Sequence, residues 1–336
     1  MERLVYQKFV EWKNRSGRKL LMLNGARQVG KTWLLHEFAR REYRLEAYVN
    51  CRRNDLARQL FAQDFNMERI LRALRALTGV DITPGDTLIV LDEIQDIPEA
   101  LESLKYFRED ASEYHVAVAG SLLGISLHEG TSYPVGQVDE INIYPMNFEE
   151  FLLAKGEREM YKLLVSRDYT TINLLHDKYV ELLRQYYYVG GMPEAVAEYV
   201  ATGALNEVRR IQTGILNGYD RDFSKHAPKE LVPRIRMVWK SIPSQLFREN
   251  KKFIYGALRK VREPPISNWP YAGWWMQEWY ARCPVARSLR CPSASTKIFR
   301  LSSSIWLTLD CLEPWPTWSP YRFWWQTTFS RSTKAG

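Results

Sequence analysis

The sequence predicts an α/β protein whose core is a parallel sheet, followed by a region that is helical throughout. Three observations lead there. Short apolar runs alternate with amphipathic stretches over the first part of the chain, a glycine-rich turn joins the first such run to a helix, and strand signals stop near residue 155.

In chain order, KLLMLNG from Lys19 is a short apolar run ending in glycine, as suits a buried strand. WLLHEFARR follows with helical spacing and a basic end. Ala47–Asn50 (AYVN) reads as a second strand, and LARQLF and ILRALRAL within residues 54–78 read as amphipathic helices. TPGD (Thr83–Asp86) is a turn by its Pro-Gly pair. TLIVLDE (Thr87–Glu93) is a buried strand that runs into two carboxylates; ALESLKYFRE is a helix and His115–Ser121 (HVAVAGS) another strand. After Val138–Gly156 the pattern changes, and residues 157–260 carry helical periods such as YVELLRQYYYV and PEAVAEYV.

A length of 336 residues suits two or three domains, and 46% hydrophobic with 26% charged residues excludes a wholly disordered chain. No uncharged apolar stretch reaches the eighteen or so residues that a membrane-spanning helix needs. Charges scattered through MERLVYQKFVEWKNRSGRK argue against a secretory signal, and four cysteines then suggest reduced thiols in a cytoplasmic protein.

GARQVGKT, Gly25 to Thr32, fits the pattern G-x-x-x-x-G-K-[ST]. Its glycines let the backbone wrap closely, so that successive N–H groups, including those of Gln28 and Val29, face phosphate oxygens. Lys31 supplies a point charge to the β- and γ-phosphates, the Thr32 hydroxyl suits Mg²⁺, and the helix that begins there directs its positive end at the anion. Asp92 falls at the carboxyl end of a buried strand, where parallel sheets present ligand-binding groups. It suits Mg²⁺, while Glu93 suits polarising the attacking water. Ser121, ending the next strand, suits sensing the γ-phosphate. No [NT]-K-x-D segment for reading guanine occurs, so ATP is the expected nucleotide. The clustered arginines of a small-molecule kinase lid are not evident either.

These motifs, with AGSLLG (Ala119–Gly124), Tyr133–Leu152, VGGMPEAV (Val189–Val196) and Ser241–Gly256, resemble a family of prokaryotic AAA-type P-loop ATPases with an extra catalytic glutamate. The resemblance covers roughly residues 15–260. It implies a P-loop NTPase sheet of strand order 5-1-4-3-2, then a helical region, a winged helix and a domain of unknown function. It also implies ATP hydrolysis with Mg²⁺: phosphate binding by Gly25, Gly30, Lys31 and Thr32, metal coordination and water activation by Asp92 and Glu93, and a sensor role for Ser121. Arg209, Arg210, Arg221 and Arg234 are all candidates for an arginine finger. The expected division is an ATPase core over 1–155, a helical domain over 156–235 and the start of a winged helix over 236–260.

Residues 261–336 are compositionally foreign, with nine of the twelve Trp, three of the four Cys and eight of the sixteen Pro. They also hold nine Lys/Arg against four Asp/Glu, so most of the +8 net charge sits there. The reading that fits is a shifted frame after one nucleotide lost just past the Lys260 codon, which leaves the winged helix incomplete. Reread one frame over, Trp274-Trp275-Met276-Gln277 forces Val-Asp-Ala, and Phe323-Trp324-Trp325-Gln326 forces Leu-Val-Ala. The competing reading is a genuine tail that stacks on single-stranded nucleic acid.

The expected function is a Mg-dependent ATPase acting as a conformational switch. The alternative is a nucleotide-gated regulator with little turnover, contacting DNA or a protein partner through an intact winged helix. No membrane partner is expected, and an oligomer is compatible with the class. Sequencing the gene through the Lys260 codon is expected to find the lost nucleotide; an intact frame in independent reads would refute the shift.

Overall fold

The computed structural model of the chain describes residues 1–121, 136–226, 230 and 232–246. The second half of the expected winged helix and the Trp-rich segment lie outside the described residues, as does most of the glycine-containing stretch after Ser121.

Helix α1 (Tyr6–Asn14) precedes strand β1 (Leu20–Gly25), and α2 (Lys31–Glu42) and β2 (Leu45–Asn50) follow. Helices α3 (Asp55–Gln63) and α4 (Met67–Thr78) lead to β3 (Thr87–Asp92), a 3₁₀ turn (Ile94–Asp96) and α5 (Pro98–Asp110). Strands β4 (His115–Ser121) and β5 (Val138–Ile143) complete the sheet. The chain continues through α6 (Phe148–Ala154), α7 (Arg158–Ser166), α8 (Tyr169–Leu174) and α9 (His176–Val189). It then runs through α10 (Pro193–Thr202), α11 (Leu205–His226) and α12 (Val232–Leu246).

The five strands are all parallel, in the order β2-β3-β4-β1-β5. That is the order the resemblance implies, read from the other edge. Strand β2 starts two residues before the expected Ala47, because Leu45 and Glu46 already pair with Thr87 and Leu88.

Period-two alternation divides the apolar residues between the faces of the sheet. Leu21, Leu23, Leu88, Val90, Ala117 and Ala119 face α1 and α2, packing with Phe9, Trp12, Leu34 and Phe38. Leu20, Met22, Ile89, Leu91, Val116 and Val118 face the other way, against Ile70, Leu74, Leu104 and Phe107 of α4 and α5. Both faces are covered, which is why β3 is buried along its whole length.

Local signals set the helix ends. Asn54 and Asn66 cap α3 and α4 with their side chains, and Gly79 closes α4 in the left-handed conformation. Helix α6 opens with a capping box formed by Asn147 and Glu150.

A separate apolar cluster gathers Met146, Phe148, Phe151 and Leu152 with Tyr186, Val189, Val196, Val208 and Tyr219. Packing thus changes partner at Met146. There the backbone passes so close to Gly191 that an added Cβ would lie 2.2 Å from the Met146 carbonyl oxygen. The single helix α12 runs through residues 235 and 236, where the sequence suggests a division between helical domain and winged helix.

At the opposite end of the sheet from the glycine-rich turn, His115 is buried and shares a 2.8 Å hydrogen bond with the Tyr43 hydroxyl. Burial, with the nearby charges of Arg18 and Lys13, pushes its imidazole down to about 4. The fold therefore holds a neutral ring, while the unfolded chain takes up a proton near the ordinary histidine value. Stability from this group is full above that value and is lost as pH falls toward 4. Unfolding free energies from urea titrations at pH 7 and pH 4.5 are expected to show a fall that His115→Gln reduces by on the order of 2 kcal/mol. An equal fall in both proteins would contradict it.

Candidate functional site

Strand β1 ends at Gly25, whose missing Cβ matters: one placed there would lie 2.4 Å from the Ile143 carbonyl oxygen on β5. The loop then turns through left-handed conformations at Gln28 (φ 63°) and Gly30 (φ 91°) before α2 begins at Lys31. A turn of this kind directs backbone N–H groups into a concavity, and the helix N-terminus adds its partial positive charge. The Val29 side chain is fully buried, which anchors the loop in the core between the sheet and α2.

The Lys31 ammonium is folded back on this loop, donating to the carbonyl oxygens of Gly25 (3.0 Å) and Ala26 (2.8 Å). Burial lowers its pKa from the ordinary lysine value, and the charges of Glu93 and Asp92 oppose that.

Asp92 ends β3, 3% exposed. Its Oδ2 accepts the Thr32 hydroxyl at 2.7 Å and the Tyr48 hydroxyl at 3.0 Å, and its Oδ1 accepts the Glu93 backbone N–H at 2.9 Å. Glu93 itself has φ 52°, a left-handed conformation that a non-glycine residue adopts at a cost. Its Oε2 accepts from Nε2 of the buried Gln95 at 2.5 Å. Ser121 ends β4 as the register partner of Gly25, so its backbone stands at the same edge.

The donor set fits a hydrated Mg²⁺ held jointly with a nucleotide. It offers one hydroxyl and one carboxylate already in contact, beside a cationic side chain. No group of three or more His, Cys, Asp or Glu residues that could hold a metal alone occurs among the described residues.

Partners that the sequence reading missed grip the same loop from outside the sheet. Arg27 forms an ion pair with Asp222 of α11, and the Tyr219 hydroxyl donates to the Arg27 carbonyl at 2.8 Å. Tyr219 in turn stacks on Trp239 of α12. From the other side, Arg3 donates to the Val29 carbonyl (3.0 Å), the Tyr144 carbonyl (2.7 Å) and Glu150 Oε1 (3.1 Å). The Arg3–Glu150 pair is buried, and the Leu4 N–H adds a second donor to the same carboxylate oxygen at 2.8 Å. Pro193 of α10 packs near Gly30. An aspartate or tyrosine within a long amphipathic helix carries no periodic signal that marks such a role.

Of the arginines named as finger candidates, Arg209 lies over the Tyr188 ring and donates to Gln212. Arg210 pairs with Glu207 along its own helix.

A match to one family model agrees with this geometry. A family model described as an AAA domain matches residues 17–152, and a domain of unknown function (DUF8612) matches residues 180–270. No curated protein matches the chain significantly. Among solved structures, AMPPCP-bound DnaA from Aquifex aeolicus is 13% identical with a TM-score of 0.35, covering 83% of this chain and 89% of its own. Drosophila ORC bound to DNA is 13% identical with a TM-score of 0.35, covering 97% and 85%. A signal-transduction ATPase with numerous domains (STAND) protein with a tetratricopeptide repeat sensor, from Pyrococcus horikoshii, is 15% identical with a TM-score of 0.34. It covers 90% of this chain, which spans 47% of its length. No helix among the described residues is long and apolar enough to cross a membrane. The five-stranded parallel sheet, the glycine-rich loop at its carboxyl edge and the matching family model together identify residues 17–152 as an AAA domain of the P-loop type, with a match to a domain of unknown function behind it.

Proposed function

We propose that the chain binds ATP with Mg²⁺ at the Gly25–Thr32 loop and hydrolyses it, and that the nucleotide state sets how the helical region grips that loop. The observation that carries this reading is the 2.7 Å contact between Thr32 and Asp92. It joins a hydroxyl and a carboxylate, the two ligand types such a site needs, from two strand ends on either side of β4 at the sheet's carboxyl edge.

In this reading the backbone N–H groups of the loop bind the phosphates, and Lys31 exchanges its two loop carbonyls for β- and γ-phosphate oxygens. Thr32 and Asp92 hold Mg²⁺, which supplies charge neutralisation at the phosphates when bound. Glu93 orients and polarises the attacking water, once its carboxylate is released from Gln95. Ser121 senses the γ-phosphate from the neighbouring strand end.

The switch follows from the loop's other contacts. Arg27 and Val29 belong to the phosphate loop, yet their partners are Asp222 and Tyr219 on α11 and Arg3 at the N-terminus. A ligand that reshapes the loop therefore acts on α11 directly.

Phosphate release in Mg²⁺ tests the reading. Lys31→Ala is expected to lose on the order of 100-fold through weakened phosphate binding, and Glu93→Gln to bind nucleotide while losing 100-fold or more of turnover, on the order expected for a general base. Asp222→Asn is expected to shift nucleotide affinity several-fold through Arg27, roughly the size of one charged hydrogen bond. Hydrolysis that survives both Lys31→Ala and Glu93→Gln would contradict the assignment. Tight binding without turnover in the parent would favour the nucleotide-gated regulator instead.

A further inference from the structure

We propose that Tyr48 is a positioning residue for the carboxylate of Asp92, fixing the direction in which Asp92 meets a hydrated magnesium ion. This rests on the ATPase reading above and adds to it a residue that the phosphate-loop and strand-end motifs do not contain.

Strands β2 and β3 pair in parallel with Asn50 opposite Asp92, so Tyr48 sits two residues back from that level. Alternation puts Tyr48 on the α2 side of the sheet, where its ring packs with the core that includes Leu34, Leu35 and Val90. From there the phenol reaches along the strand to Asp92 Oδ2 at 3.0 Å.

A carboxylate offers about four lone-pair sites. Glu93 N–H occupies one on Oδ1, and the Thr32 and Tyr48 hydroxyls occupy two on Oδ2. Donors on both oxygens fix the carboxylate plane and leave one direction open for a metal-bound water. Without Tyr48, Oδ2 keeps only a donor from the loop, the element that must adapt when phosphate arrives.

The phenol is itself held. Its ring lies 4.6 Å from the His36 ring, one turn along α2 from Thr32. His36 Nδ1 is bonded to both carboxylate oxygens of Glu46, at 2.8 and 3.0 Å, and Glu46 is two residues before Tyr48 on the same strand face.

Tyr48→Phe removes one oxygen and keeps the ring against His36. A non-hydrolysable ATP analogue is titrated into parent and variant, in Mg²⁺ and in EDTA, with melting temperatures taken in EDTA. Affinity in Mg²⁺ is expected to fall about fivefold, affinity in EDTA to stay unchanged, and melting to stay within about 3 °C. Equal losses in both buffers would make Tyr48 merely structural, and unchanged or tighter Mg²⁺-dependent binding would overturn the proposal. A parent whose analogue binding ignores Mg²⁺ removes the ATPase reading, and this inference with it; failure of the inference alone shows only in the variant.

Discussion

The level at which the strands end is the constraint on which the site depends. Thr32 follows β1 and Asp92 ends β3, and β4 lies between those strands. The two side chains meet only because Gly25 pairs with Ser121 and Asp92 with Ala119, which brings three strand ends to one edge. A slip of one residue in either pairing would turn Asp92 to the opposite face, away from α2. The covered apolar faces guard against that slip. Leu88 and Val90 must face α1 and α2 while Ile89 and Leu91 face α4 and α5, and Asp92 inherits its direction from that alternation.

The parts of this arrangement that were legible in the sequence are those that local backbone chemistry dictates. GARQVGKT places glycine where the loop approaches β5 and at Gly30, where its backbone turns left-handed, so the motif carries its own geometry. The run TLIVLD ends in acid because a strand buried on both faces can hold a charge only at its tip, where hydrogen-bond donors from neighbouring elements meet the carboxylate. Strand order came from the resemblance alone, since no spacing within the chain encodes it.

What was not legible lies in long-range side-chain partners. Arg3 and Glu150 meet across 147 residues, and Arg27 and Asp222 across 195. Glu150 is also the third residue of a capping box, a complete local explanation that hides its second role. Tyr48 reads as an ordinary aromatic strand residue, and only the register of β2 on β3 shows that its hydroxyl reaches Asp92. These contacts place the phosphate loop at a junction. Breaking a buried pair such as Arg3–Glu150 typically costs about 3–5 kcal/mol, so that anchor holds the loop to the start of the helical region with real force. The Arg27–Asp222 contact is also shielded, with Asp222 buried and Arg27 half-buried, so α11 is tied to the loop as well.

Backbone amide hydrogen exchange across residues 25–32, with and without a saturating non-hydrolysable ATP analogue and Mg²⁺, tests the central claim most directly. The account predicts slowed exchange at these amides, because phosphate oxygens take their hydrogen bonds. Unchanged exchange there, with the analogue demonstrably bound, would mean that the nucleotide sits elsewhere.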